Sequence, residues 1–150
     1  MWGCNYFDYK FATGRIVWDK CNGSSSFSDC EIAATDLFTS VRLFRYMWSG
    51  MMQGKSIAEG STMQGNKSMN EKRIHPTQKP VVLYDWIFKN YAEPGQKVLD
   101  THLGSGSSRI AAYEAGLDFI GFEIDPFYFQ LEEERFAEHT SQTSLFHMER

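Results

Sequence analysis

Apolar and polar positions follow two different periods along the chain, and the change of period orders the reading. Before residue 49 the apolar runs are short and rich in β-branched and aromatic residues. Gly14-Arg-Ile-Val-Trp-Asp-Lys20 and Val41-Arg-Leu-Phe-Arg-Tyr-Met-Trp48 each predict a strand. Residues 27–36, with Ile32 and two alanines, predict a short element of undecided type. Residues 49–74 lose both periods. They hold glycines and methionines but no aromatic residue, and predict one long flexible loop. From Val81 the spacing turns helical: Leu83, Ile87 and Tyr91, with Val82 and Trp86 beside them, give a broad apolar face over 81–91. Pro80 stands where a helix can begin, and Pro94-Gly95 predicts the turn that ends it. A strand at Lys97–Asp100 comes next, then a helix from Ser105 to Ala115 closed by Gly116, then a strand over 118–124. Asp125-Pro126 supplies an N-cap and a first-turn proline for a last helix to about His139, with a fraying polar tail from Thr140. Strand, glycine loop, helix, strand and helix make a βαβα unit, which implies an α/β fold with parallel pairing and a right-handed crossover.

Composition narrows this only slightly. The length of 150 residues fits a single domain, and the aromatic content of 15% suits both a packed core and sites that stack on rings. No apolar run approaches the roughly 18 residues of a membrane span, and no secretory signal pattern opens the chain, so a cytoplasmic protein is expected. Cys4, Cys21 and Cys30 form no C-x-x-C pair and read as reduced thiols, with neither a metal site nor a disulfide frame. The net charge of −4 is unevenly placed. Residues 1–97 carry 12 Lys/Arg against 9 Asp/Glu, and residues 98–150 carry 3 against 10. That split fits a nucleic-acid-facing part joined to a cofactor part, and carries little weight alone.

The chemistry concentrates in Val98-Leu-Asp-Thr-His-Leu-Gly-Ser-Gly-Ser-Ser108. Gly104-Ser-Gly106 comes after a strand and precedes a helix, where glycines admit close approach of a ligand and the helix start offers free N–H groups. Asp100 ends the first strand. Glu123, 19 residues beyond Gly104, ends the next, where a carboxylate can accept both hydroxyls of an adenosine ribose. Together they predict a nucleoside-cofactor site. A phosphate-binding G-x-x-x-x-G-K-[ST] loop is absent, and the third glycine of a dinucleotide G-x-G-x-x-G loop is replaced by Arg109.

His75-Pro-Thr-Gln-Lys-Pro80, Asp-x-x-x-Gly-Ser-Gly at 100–106 and Gly-Phe-Glu-Ile-Asp at 121–125 occur in the order found in the beta-ordered DNA amino-methyltransferases, and the chain resembles that family. Trp2-Gly-Cys-Asn-Tyr-Phe7 and Val17-Trp-Asp-Lys20 resemble, less specifically, its phage and prophage subgroup. The resemblance implies a Rossmann-like, three-layer α/β/α fold, S-adenosylmethionine as cofactor, and methyl transfer to the exocyclic amine of adenine, less so cytosine, in double-stranded DNA. It places Thr77, Lys79 and Pro80 at the methionine end of the cofactor and Asp100 opposite its ammonium. His102, Leu103, Gly104, Ser105, Gly106 and Ser107 would curve around it, and Glu123 would hold the ribose. His102 stands where the family usually has an aromatic residue.

The family's catalytic motif, a polar or acidic residue before Pro-Pro-aromatic, stacks and stabilises a flipped-out base. The four prolines here, Pro76, Pro80, Pro94 and Pro126, include no adjacent pair, so no catalytic residue is assigned. The resemblance therefore implies residues 1–150 as a single, partial methyltransferase domain, N-terminally truncated. Its sheet would be incomplete, and the exposed edges would favour association into a homo-oligomer. Lys20, Arg42, Arg45, Lys72 and Arg73, with Lys55 and Lys67, are the candidate phosphate contacts, and the loop 49–74 takes the target-recognition position. Two further readings stay open: a catalytically incomplete remnant that binds cofactor or DNA, and a dinucleotide-dependent oxidoreductase.

Overall fold

The computed structural model describes residues 1–23 and 27–147. The chain forms two compact units, Met1–Asn70 and Glu71–Arg150.

In the first unit, β1 (Gly14–Asp19) is the central strand of three. It pairs antiparallel with β2 (Cys30–Thr35) and parallel with β3 (Val41–Arg45). The undecided segment at 27–36 is therefore a strand. The two-residue period of β1 puts Ile16 and Trp18 on its buried side. The Trp18 ring is fully buried, and its indole N–H donates to the Tyr46 carbonyl at 3.0 Å, so burial leaves no unpaired donor. Phe44, Tyr46, Trp48, Ala33 and Ala34 complete this core.

The long loop expected at 49–74 is instead braced by its own backbone. A hairpin joins β4 (Trp48–Ser49) to β5 (Met52–Gln53), and Gly50 at its turn has a φ of 56°. An isolated bridge pairs Gly54 with Met63, Lys55 N–H donates to Thr62 O, and Met47 N–H donates to Gly60 O. A β-carbon at Gly60 would collide with the Arg45 carbonyl oxygen. Short crosslinks of this kind carry no apolar period, which is why the pattern of side chains misses them. The unit boundary falls inside this segment, so residues 71–74 belong to the second unit.

The second unit keeps the expected order. α1 (Val81–Tyr91) and β6 (Lys97–Asp100) keep their predicted bounds. α2 (Ser107–Glu114) begins two residues late, because Gly106 has a left-handed φ of 71°. β7 (Asp118–Gly121) pairs parallel with β6 and stops short of Ile124. Beyond Gly121, Phe122 N–H donates to Asp100 O while its carbonyl accepts from Leu103 N–H, so the strand end is spent on the loop. α3 (Pro126–His147) is capped by Asp125, whose side chain accepts from Phe127 N–H at 2.9 Å. It runs past the expected end near His139. The last part of the tail, 148–150, lies outside the described residues. α2 packs on β7 and against α1 and α3. Ile110, Ala111 and Ala112 are buried there, and Leu83 of α1 is fully buried. Leu99 and Ile120, facing the other way on β6 and β7, are exposed. Strand pairing among the described residues gives a three-stranded sheet and two two-stranded ones.

Leu83→Ala removes a fully buried side chain from α1 and is expected to cost about 2–5 kcal/mol of unfolding free energy, read by denaturant titration.

Candidate functional site

The site is assembled by the loop between β6 and α2. Parallel pairing sets Asp100 opposite Gly121, so both strand ends open on the same side. Asp100 then turns its two oxygens back on the loop. One accepts His102 N–H at 3.0 Å, and the other accepts the Ser108 hydroxyl at 2.5 Å. The loop closes on itself through Gly106 N–H to Leu103 O at 3.0 Å.

Glu123 is the hub. One oxygen accepts Gly104 N–H at 2.8 Å and the other accepts Asp125 N–H at 3.0 Å. These bonds, Asp125's first, hold the carboxyl below the usual carboxylate range. A carboxylate has about four acceptor positions, so two remain for a diol. The group is half-exposed, ionised and already oriented.

The two glycines serve different ends. Gly104 has a φ of 56°, and a β-carbon there would lie 3.7 Å from the His75 ring, an ordinary contact. Gly106 has a φ of 71°, and its β-carbon would collide with the Glu132 side chain. Gly104 therefore answers to backbone conformation and Gly106 to both conformation and space.

The His75–Pro80 segment reaches the same place. His75 packs edge-on against Tyr128 with ring centroids 4.3 Å apart, beside Gly104. Its Nδ1 accepts Thr77 N–H at 3.2 Å and lies 3.1 Å from the Thr77 hydroxyl. Gln78 is buried and fastens the segment to itself, accepting from Ile74 N–H and donating to Lys72 O. Pro80 is fully buried and caps α1 from an extended conformation, Lys79 is half-buried, and Thr77 is exposed.

The structure thus groups His102 to Ser107, Asp100 and Glu123 around one loop. Leu103, Ser105 and Ser107 are buried within it, with the Ser105 and Ser107 hydroxyls 3.1 Å apart, while His102 is exposed and shares Nδ1 with the Thr101 hydroxyl at 3.0 Å. Arg109 looks elsewhere. It pairs with Glu132 and Glu133 and lies over the Phe136 ring at 3.9 Å. Where a dinucleotide loop would need a glycine for close packing, α2 here meets α3 through a cation.

The candidate phosphate contacts divide. Lys20 pairs with Glu31 at 2.7 Å and lies over the Trp18 ring. Arg45 pairs with Asp19 at 3.1 Å, Lys55 with Glu59 at 2.8 Å, and Arg42 lies over the Phe38 ring. Arg42, Arg45, Lys55, Lys67, Lys72 and Arg73 are exposed. Sequence reasoning missed His75 as a contact of the loop, together with Tyr128, Glu71, Glu132 and Arg135. The available signal was Arg135 itself, a single cation directly after Glu132-Glu133-Glu134.

Comparison with known proteins places this geometry. Residues 17–134 match the DNA methylase family of N6 and N4 type. The type II methyltransferase M2.LlaDCHI of Lactococcus lactis subsp. cremoris is 25% identical over 132 residues, covering 88% of this chain and 44% of that protein. The DNA adenine methyltransferase YhdJ of Escherichia coli K12 is 40% identical over 63 residues, covering 42% of this chain and 21% of that protein. The chain therefore spans less than half the length of these curated relatives. Among solved structures, TTHA0409 of Thermus thermophilus, described as a DNA modification methylase and complexed with S-adenosyl-L-methionine, superposes with a TM-score of 0.52. The identity is 18%, over 91% of this chain and 56% of that one, a likeness of fold.

Gly106→Ala is expected to destabilise the chain clearly more than Gly104→Ala. The latter should cost about 1–2 kcal/mol, the left-handed penalty alone, and denaturant titration of the two variants gives the order. Glu123 gives a pH signature. Its pKa is depressed on folding, so its stabilisation is complete above the ordinary carboxylate pKa and is lost as pH falls through the folded value. Glu123→Gln should flatten that acid limb of stability against pH.

Proposed function

The chain belongs to the N6/N4 DNA methylase family, and on that premise we propose that it binds S-adenosylmethionine at the loop between β6 and α2 and serves methyl transfer to the exocyclic amine of adenine in double-stranded DNA. The observation that carries the reading is the ionised, half-exposed Glu123 carboxylate at the end of β7, held by Gly104 and Asp125 N–H with acceptor positions to spare. The chemistry of the donor set fits the cofactor: a carboxylate for the ribose diol, a second strand-end carboxylate, Asp100, for an ammonium, and glycine backbone between them.

When bound, this cofactor supplies a methyl group on a positively charged sulfur. The chain's own part is to bind and orient it. Glu123 accepts the ribose hydroxyls. Asp100 faces the methionine ammonium. His102, Leu103, Gly104, Ser105, Gly106 and Ser107 curve around the molecule, and Thr77, Lys79 and Pro80 border its methionine end. Support for adenine over cytosine is the name of one relative, the E. coli DNA adenine methyltransferase.

Arg42, Arg45, Lys72 and Arg73 are exposed and suited to phosphate, which positions a duplex without reading its sequence. Lys20 joins them only by leaving Glu31. Residues 49–74 take the target-recognition role in this reading. The family match runs across both compact units, which supports treating residues 1–150 as one partial methyltransferase domain. The 150 residues hold four prolines and no adjacent pair, so a second reading, binding without transfer by these residues alone, is kept beside the first.

Calorimetric titration with S-adenosylhomocysteine tests the site. Glu123→Ala should weaken binding by about tenfold to a hundredfold, the worth of hydrogen bonds to a charged group. Equal affinity in the variant refutes the ribose role. Binding of NAD without S-adenosylhomocysteine overturns the methyltransferase reading in favour of an oxidoreductase. Transfer of labelled methyl to duplex DNA by the chain alone eliminates the second reading.

A further inference from the structure

Glu71 and Arg135 lie 64 residues apart and meet beneath the loop, Arg135 Nη2 to Glu71 Oε2 at 3.0 Å. Each has a second task. The other Glu71 oxygen accepts Val81 N–H at 2.9 Å, at the start of α1. Pro80, the N-cap residue, has no side-chain acceptor of its own, so Glu71 does the capping from ten residues upstream. Arg135 Nη1 donates to the Ser105 carbonyl at 2.6 Å and to the Ser107 hydroxyl at 3.0 Å. Burial pushes the Glu71 carboxyl up and the Arg135 guanidinium down from their ordinary values, so each ion relies on the other in place of water.

The Ser105 carbonyl shares a peptide plane with Gly106 N–H, which donates to Leu103 O at 3.0 Å. That plane is therefore held at both ends, by Arg135 on the carbonyl side and by Leu103 on the amide side. Its orientation sets the φ of 71° at Gly106, and with it the start of α2. A flip would turn a carbonyl to where an N–H now points. Through Val81, the same ion pair fixes the start of α1, directly after His75–Pro80. One buried pair thus clamps both segments proposed to hold the cofactor.

We propose that Glu71 and Arg135 are positioning residues for the cofactor site, fixing the Ser105–Gly106 peptide and the start of α1 in their ligand-ready arrangement without touching the ligand. This rests on the cofactor reading given above, and it adds two residues outside the loop and outside the His75–Pro80 segment.

The test uses the full chain with Glu71→Gln, Arg135→Lys and Arg135→Gln, and Ile110→Val as a stability control within buried α2. S-adenosylhomocysteine is the titrant, well below every melting temperature. Glu71→Gln keeps an acceptor for Val81 but loses the charge. Each clamp variant is expected to lose about tenfold in affinity, with Arg135→Lys milder than Arg135→Gln, while Ile110→Val melts lower with affinity unchanged. Affinity within twofold of wild type in all three clamp variants overturns the positioning role, however far their melting points fall. Amide hydrogen exchange on the ligand-free chain is the independent arm. Gly106 and Val81 should exchange faster in the clamp variants relative to the β6 and β7 amides, and unchanged protection sinks the clamp. Failure of the wild-type chain to bind, with exchange responding as expected, would defeat the cofactor reading and leave the clamp standing as a feature of the fold.

Discussion

The carboxylate of Glu123 accepts one hydrogen bond from the loop after β6 and one from the turn that starts α3. Both are charge-assisted, and both go to backbone amides that face no strand or helix partner. Much else depends on this arrangement. Gly104 can adopt its left-handed conformation because its amide has somewhere to go. Asp125 is held where its own side chain caps α3. The parallel pairing of β6 with β7 brings the two strand ends level, and the carboxylate joins them across the gap. The group proposed to recognise a ribose is therefore also a structural member, and its ionisation serves both purposes.

The elements legible in the sequence are those whose side chains carry a period or a stop signal. α1 shows its apolar face and its Pro-Gly stop, and its bounds are read without error. β6 is a short apolar strand between a turn and a loop, equally plain. β7 reads too long because Phe122 to Ile124 continue its composition while the backbone has already turned to serve the loop. The segment 49–74 misleads for the opposite reason. Its order comes from main-chain crosslinks and from glycines at close approaches, such as Gly60 against the Arg45 carbonyl, which leave no mark on hydropathy.

The site divides in the same way. Asp100, the glycines and Glu123 are readable because strand ends and glycine spacing place them. Glu71 and Arg135 are not, since nothing local links residues 64 positions apart. Charge counting also misleads in part. The acidity of residues 98–150 suggests an exposed negative part, yet Glu132 is fully buried against Arg109, and Glu133 shares the same cation. Some of that charge is internal structure and does not present a negative face to a partner.

The loop from Thr101 to Gly106 has most of its polar backbone committed within the protein before any ligand arrives. That commitment has a kinetic meaning. A ligand meeting a pre-ordered loop waits for no ordering step, so encounter and the shedding of water govern its arrival. Ligands that differ at the ribose or the methionine end would then be told apart by residence time, since each would enter at a similar rate and leave according to the contacts it makes.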